Sequence, residues 1–203
     1  MSGIFVVLDG PDGCGKSTQA ARLADRLEAE GRSVERLRDP GGTPIGDRIR
    51  DILLDRANEV MHVRAELLLY LAARAQLVAE RIEPALAAGR DVVCDRFLTS
   101  TVAYQGHAGG LDPGLIWRVG REIVGGPDPD LCVLLDLDAA RSLARTGAEP
   151  DRMEARGVPF QERVRDGFRR LAEDGPYACE IVDAVGTPDD VFARVWEKVR
   201  RVL

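Results

Sequence analysis

Ile4-Phe5-Val6-Val7-Leu8-Asp9-Gly10-Pro11-Asp12-Gly13-Cys14-Gly15-Lys16-Ser17-Thr18 is the stretch that decides how this chain folds. Five apolar residues in a row predict a strand buried on both faces, as in the middle of a parallel sheet. From Lys16 to Glu30 the period changes: Ala20, Leu23, Ala24 and Leu27 recur at three-to-four spacing, one face of a helix, and Gly31 follows as its stop. Between strand and helix, Gly10 to Ser17 fits G-x-x-x-x-G-K-[ST], in the context that gives the pattern meaning. Glycines let backbone N–H groups curl around phosphates, and the helix N-terminus adds partial positive charge. Lys16 then reaches the β and γ oxygens of a nucleotide while Ser17 ligates Mg²⁺. At average composition the pattern arises by chance in about one chain in a hundred. Of the 28 basic residues only Lys16 and Lys198 are lysine, so a chain that otherwise uses arginine keeps a compact ammonium where the loop needs one.

Outward from this unit the alternation continues. Further strands are predicted at Ser33–Leu37, Asp91–Asp95, Leu131–Asp136 and Cys179–Val182. Helices are predicted at Ile45–Leu54, Arg64–Ala88 with a bend near Pro84, Leu98–Gln105, Pro113–Val124, Ala139–Arg145, Phe160–Glu173 and Asp189–Val202, with Thr146–Val158 irregular and charged. Strands alternating with helices predict an α/β fold of the P-loop NTPase type: three layers, a five-stranded parallel sheet with helices on both faces. With no repeat or linker, residues 1–203 are read as a single domain with a lid segment at about 145–157.

Composition narrows the function. The 203 residues are 45% hydrophobic and 31% charged with a formal net charge of −6, an ordinary globular balance that argues against a nucleic-acid backbone or an anionic membrane as main partner. Cys14, Cys94, Cys132 and Cys179 show no C-x-x-C spacing and only two histidines occur, which suggests neither a disulfide framework nor a zinc site. No secretory leader or 18-residue apolar run is present, so a cytoplasmic location is expected. A P-loop leaves the chemistry open among kinases, switch GTPases, motors and transporters. The two lysines leave no N-K-x-D segment for guanine recognition, and the chain is short for a motor, so a compact phosphotransferase is favoured. Asp95-Arg96 closes a buried strand, where an α/β sheet places ligand groups: the aspartate suits Mg²⁺ held through water and the arginine a phosphate.

Five segments in order resemble the thymidylate (dTMP) kinase family. They are FVVLDGPDGCGKSTQ from Phe5, RDPGGTPIG from Arg38 with Asp39 in place of the usual glutamate, LLLYLAARAQLV from Leu67, DRFLTSTVAYQG from Asp95, and the P-D-L-x-x-x-L-D strand ending at Asp136. The resemblance implies transfer of the γ-phosphoryl group of ATP to dTMP, giving dTDP and ADP, by a Mg²⁺-dependent homodimer, with the long-helix faces including Arg64–Ala88 between protomers. It implies ATP contacts from Gly10, Asp12, Gly13, Cys14, Gly15, Lys16, Ser17, Thr18 and Arg145. Tyr70 would stack on thymine, with Arg74, one turn later on the same helix face, donating to the thymine carbonyl. Arg50 and Arg96 would hold the dTMP phosphate, Asp9 would sit between the two phosphate sites, Ser100, Thr101 and Gln105 would line the base pocket, and Tyr104 would pack against C2′ of the sugar. Ser17 and Asp95 would serve Mg²⁺.

A nucleotide monophosphate is already an oxyanion near pH 7, so the reaction needs charge neutralisation and in-line positioning rather than a strong base. Lys16, Mg²⁺ and an arginine that closes over the β/γ bridge are expected to supply this, with Asp9 and Arg96 counted beside them as catalytic. The variable loop positions Pro11 to Cys14 hold nothing basic, so an arginine from the lid must complete it, and Arg152 is the expected one because Asp151-Arg152-Met153-Glu154 keeps the family's local pattern. The arginine-rich stretch that usually precedes it is shortened here. Two other readings stay open at this level. One is a deoxynucleoside kinase, which would need a carboxylate base and a Glu-Arg-Ser type segment where this chain has Asp95-Arg96-Phe97; the other is a nucleotide-binding regulator with weak or no turnover.

Overall fold

A computed structural model describes residues 3–145 and 151–203. Strand β1 (Phe5–Asp9) is buried at every position, as its apolar run requires. It pairs in parallel with β3 (Asp91–Asp95) on one side and β4 (Leu131–Asp136) on the other, Val7 standing level with both Cys94 and Cys132. β2 (Val34–Arg38) adds outside β3 and β5 (Cys179–Asp183) outside β4, so the sheet runs β2-β3-β1-β4-β5 with every pair parallel. The expected fold class is the observed one.

Alternate residues of β1 feed two cores, following the two-residue period of a strand. Val6 and Leu8 join Leu23 and Leu27 of α1 (Lys16–Ala29) and Val195 of α9 (Pro188–Val199) on one face. Phe5 and Val7 join Leu71 of α3 (Val63–Leu77), Ile116 of α6 (Pro113–Val124) and Phe168 of α8 (Val158–Asp174) on the other. Helices α2 (Pro44–Leu54), α4 (Glu83–Ala87), α5 (Leu98–Thr101) and α7 (Ala139–Leu143) complete the layers.

Two helices differ from the sequence expectation. The long helix does not simply bend at Pro84: α3 widens into a π-helical turn at Val78–Ile82 and resumes as α4. Pro84 has no N–H to return to residue 80 and its ring crowds that carbonyl, and the wider turn ahead of it absorbs both faults. The helix expected over Leu98–Gln105 is α-helical only through α5 and continues as a π-helical segment, Val102–Ala108, which carries Tyr104 and Gln105. Elsewhere bounds move by a few residues: α7 stops short of Arg145, and α8 begins at Val158. Of the expected lid, residues 146–150 lie outside the described residues, and Glu154–Arg156 form a 3₁₀ turn.

Candidate active site

The phosphate loop leaves the end of β1, whose connection runs to β2 on one side while that of its neighbour β3 runs to β4 on the other, the place where open α/β sheets bind ligands. Gly10, Gly13 and Gly15 have φ of 141°, 77° and 101°. At Gly10 a Cβ would stand 2.5 Å from the Leu135 carbonyl oxygen, so the loop can turn there only on glycine. Lys16 is buried and its Nζ donates to the Pro11 carbonyl at 2.7 Å, which draws the ammonium back across the loop. Ser17 Oγ donates to Asp95 Oδ2 at 2.5 Å. The other Asp95 oxygen is buried with no partner among the described residues.

Arg96 is the one non-glycine residue with positive φ (71°) among the described residues, a conformation held only where surrounding contacts enforce it. They do so here: Nη1 donates to Ser100 Oγ at 2.9 Å and to the Gly10 carbonyl at 3.2 Å, while Nη2 meets Asp12 and the ring of Tyr104 lies 5.2 Å away. Burial opposes the charge on Arg96, yet Tyr104, Asp12, Asp9 and Asp95 outweigh that cost and keep the guanidinium protonated more firmly than usual. Asp12 accepts in turn from Tyr104 Oη at 2.8 Å and Gln161 Nε2 at 3.0 Å. Its burial raises the pKa, but Arg96 and Lys16 with these two hydrogen bonds bring the carboxyl below its ordinary value.

Asp9 lies beneath this cluster rather than in the cavity. It is fully buried, with Oδ1 accepting from Ser100 Oγ at 2.6 Å and the Gly10 N–H at 2.9 Å and Oδ2 accepting from Thr99 Oγ1 at 2.6 Å. A carboxylate removed from water needs such donors, and here they take both oxygens. The position expected between two phosphates is therefore one layer down, under Arg96 and Ser100.

A cavity of about 660 Å³ opens in front of the loop. Its walls bring together the expected Asp12, Gly13, Lys16, Ser17, Arg50, Tyr70, Arg74, Asp95, Arg96, Ser100, Thr101, Tyr104 and Gln105. Asp9, Gly10, Cys14, Gly15, Thr18, Arg145 and Arg152 do not line it; Thr18 is exposed on the first turn of α1 and Arg145 is exposed at the edge of the described lid. Arg50 donates to the Pro40 carbonyl at 3.0 Å, and burial, with Arg38 and Arg96 nearby, lowers its pKa. Tyr70 is half-buried on the wall and burial pushes its phenol up. Arg74 donates through Nε to Asp39 at 2.5 Å and through Nη2 to Thr101 Oγ1 at 2.9 Å and the Phe97 carbonyl at 3.1 Å, leaving Nη1 buried and without a partner among the described residues.

Arg152 is where expectation and geometry part. Its guanidinium is buried, pairing with Glu66 at 2.5 Å and donating through Nε to the Leu53 carbonyl at 2.7 Å. It faces α2 and α3 and not the phosphate loop, because a buried cation goes to the buried carboxylate within reach. Four residues with parts in the site were not singled out from sequence: Asp39 under Arg74, Thr99 on Asp9, Gln161 on Asp12 and Glu66 under Gln105 and Arg152. Glu66 had a signal, since it precedes Tyr70 and Arg74 at successive four-residue steps on one face of α3. Gln161 had none, being distant in sequence and unmarked by pattern.

The model of the thymidylate kinase family matches residues 8–195. A thymidylate kinase of Deinococcus radiodurans is 46% identical over 199 residues, covering 97% of this chain and 96% of its own. One from Solidesulfovibrio magneticus is 47% identical over 209 residues, covering 98% and 100%. The crystal structure of thymidylate kinase from Ehrlichia chaffeensis superposes with a TM-score of 0.78 at 30% identity, over 98% of this chain and 99% of that one.

Proposed function

The chain belongs to the thymidylate kinase family and transfers the γ-phosphoryl group of ATP to dTMP, and from that premise we propose how its residues divide the work. The observation that carries the assignment is the convergence of Lys16, Ser17, Arg50, Tyr70, Arg74 and Arg96 on one cavity. On this reading Gly10, Asp12, Gly13, Cys14, Gly15, Lys16, Ser17 and Thr18 hold the ATP phosphates, and Arg145 approaches ATP from the lid. Arg50 and Arg96 grip the dTMP phosphate, whose oxygen is already ionised and attacks without a base. Tyr70 stacks on the thymine ring, the free Nη1 of Arg74 donates to a ring carbonyl, Ser100, Thr101 and Gln105 complete the base wall, and the Tyr104 ring fills the space a 2′-hydroxyl would need. Asp9 acts through Arg96 and Ser100, as a positioning residue.

Mg²⁺ suits the residues present: Ser17 and Asp95 are hard oxygen donors side by side, and Asp95 Oδ1 is a buried acceptor with no partner among the described residues. Ser17 and Asp95 would hold the ion, which when bound would supply neutralisation of phosphate charge. Lys16 gives up Pro11 for the β and γ oxygens.

The reading also makes the protein a cytoplasmic homodimer of one-domain protomers, with nucleotides and not nucleic acid or membrane as partners. None of the described helices is long and apolar enough to cross a membrane. Ile52 on α2, Leu68 on α3 and Ile123 on α6 are exposed by 46%, 63% and 64%, on three helices that pack α2 on α3 and α3 on α6. These residues supply the apolar surface that a second copy would cover. The test of the activity is an ADP-release assay with ATP and Mg²⁺ against dTMP, dUMP, ribothymidine monophosphate and thymidine. Preference for dTMP is expected; turnover of thymidine without dTMP would sink the assignment.

A further inference from the structure

Glu66 is a carboxylate on the buried face of α3, beside Leu67 and Leu71. It is 1% exposed, yet no element of the proposed chemistry needs a charge there. Three groups from two other parts of the chain close on it. Gln105 Nε2 donates to Oε1 at 2.7 Å, Arg152 Nη1 pairs with Oε2 at 2.5 Å, and Arg156 Nη1 stands 3.8 Å from Oε1 with its guanidinium 4.0 Å over the Phe160 ring. Arg152 is further fixed to the end of α2, through Nε to the Leu53 carbonyl at 2.7 Å and its own N–H to the Leu54 carbonyl at 3.2 Å. The base wall and the described end of the lid therefore rest on one buried side chain.

An ionised carboxylate only accepts hydrogen bonds. Gln105 must turn its NH₂ toward Glu66, and its carbonyl oxygen is left without a partner among the described residues, on a side chain that lines the cavity. Flipping that amide would set oxygen against carboxylate oxygen and take from Glu66 Oε1 its hydrogen-bond donor. We infer that Glu66 is a positioning residue for base selection: it locks Gln105 as an acceptor and, through Arg152, ties the seating of the lid to the same carboxylate. A locked acceptor beside a free Arg74 donor selects a pyrimidine that offers a ring N–H next to a carbonyl, the thymine and uracil pattern. It rejects the cytosine pattern, in which a bare ring nitrogen would face an acceptor and an amino group would face a donor. The inference rests on the dTMP-kinase reading and deepens it.

The decisive variant is Glu66→Gln, which keeps the shape but can donate as well as accept, so that Gln105 is free to flip and Arg152 loses its counter-charge. Turnover and equilibrium binding of dTMP and dCMP are measured side by side in the wild type, Glu66→Gln, Glu66→Asp and Arg152→Met. In Glu66→Gln the dTMP-over-dCMP ratio in kcat/KM and in Kd is expected to fall at least tenfold. Arg152→Met should lower kcat with that ratio unchanged, which separates the lid arm from the base arm. Glu66→Asp keeps the charge that Arg152 requires, so it is the variant to read where Glu66→Gln does not fold; the shorter reach to Gln105 should lower the ratio while sparing kcat. A merely structural Glu66 would lower Tm and the active fraction and leave the ratio at its wild-type value in both Glu66 variants, and that result overturns the inference. Wild-type protein that turns over no dTMP overturns the underlying reading with it.

Discussion

Arg74 Nε stands 2.5 Å from Asp39 Oδ2 with the two side chains 1% and 0% exposed, so the arginine that faces the base is seated on a carboxylate sealed from water. Burial pushes the Asp39 carboxyl up against the pull of Arg74. Such a pair contributes little net stability when intact, but breaking it leaves a bare charge in the interior, which costs about 3–5 kcal/mol. Asp39→Asn should therefore destabilise the protein by roughly that amount, a large share of the ~5–15 kcal/mol typical of a domain, and raise KM for dTMP about tenfold. Urea unfolding and dTMP titration measure the two effects. An Asp39→Leu, Arg74→Met double variant should be more stable than either single change predicts, because no charge is stranded.

Lys16 should matter to the chemical step and little to acceptor binding. Its Nζ now lies on the Pro11 carbonyl, 2.7 Å away, within the loop and not against the base wall. Lys16→Met is expected to lower kcat on the order of 10²- to 10³-fold, the scale of losing one preorganised donor to developing charge, with KM for dTMP within about threefold. Steady-state kinetics at saturating ATP decides it, and a change confined to KM for dTMP would refute the placement.

How much of this was legible in the sequence depends on whether a feature is local. The strand, glycine loop and α1 were readable because apolar period and turn chemistry act over neighbouring residues. Tyr70 and Arg74 came from the family resemblance, with which their spacing of one turn on α3 agrees. Distant partners were not readable: Asp39, Thr99 and Gln161 meet Arg74, Asp9 and Asp12 across 35, 90 and 149 residues, and only the assembled sheet brings them together. The same reason explains Arg152. The Asp-Arg-x-Glu pattern located it in the lid, but Glu66, which captures its guanidinium, is supplied by another helix. The π-helical segments before Pro84 and after α5 answer to packing and a missing N–H, for which periodicity has no signature.

Asp95 should set the Mg²⁺ requirement. Its Oδ2 accepts from Ser17 at 2.5 Å and its Oδ1 is buried with no partner among the described residues. Asp95→Asn weakens both the charge and the orientation of Ser17, and outer carboxylates of this kind typically alter metal affinity 10- to 100-fold. The Mg²⁺ concentration for half-maximal turnover should rise by about tenfold or more. Turnover against Mg²⁺ at fixed ATP gives the answer directly, with an unchanged midpoint counting against the site.

Leu68, 63% exposed on α3, should lie under the partner protomer. Leu68→Glu places a charge in what would be a dry interface and is expected to shift sedimentation from dimer to monomer while leaving the circular dichroism spectrum intact. A wild-type protein that sediments as a monomer would remove the homodimer from the reading.

The acid limit of stability should carry the mark of Asp12. Its carboxyl is held below the ordinary value: burial alone would raise it, but Arg96, Lys16, Tyr104 and Gln161 prevail. The unfolded chain therefore takes up this proton at a higher pH, near about 4, than the folded one does. The sign follows. The stabilisation from Asp12 is fully present above about pH 4 and is lost as the pH falls through the depressed folded value. Asp12→Asn removes that proton equilibrium while the other carboxylates remain common to both proteins and cancel in the difference. The gap in urea midpoint between wild type and Asp12→Asn should be widest and level at neutral pH, narrow below about pH 4, and close at still lower pH. A gap that stays constant down to the acid transition would show that Arg96 does not hold Asp12 ionised, and the loop cluster built on that pair would have to be redrawn.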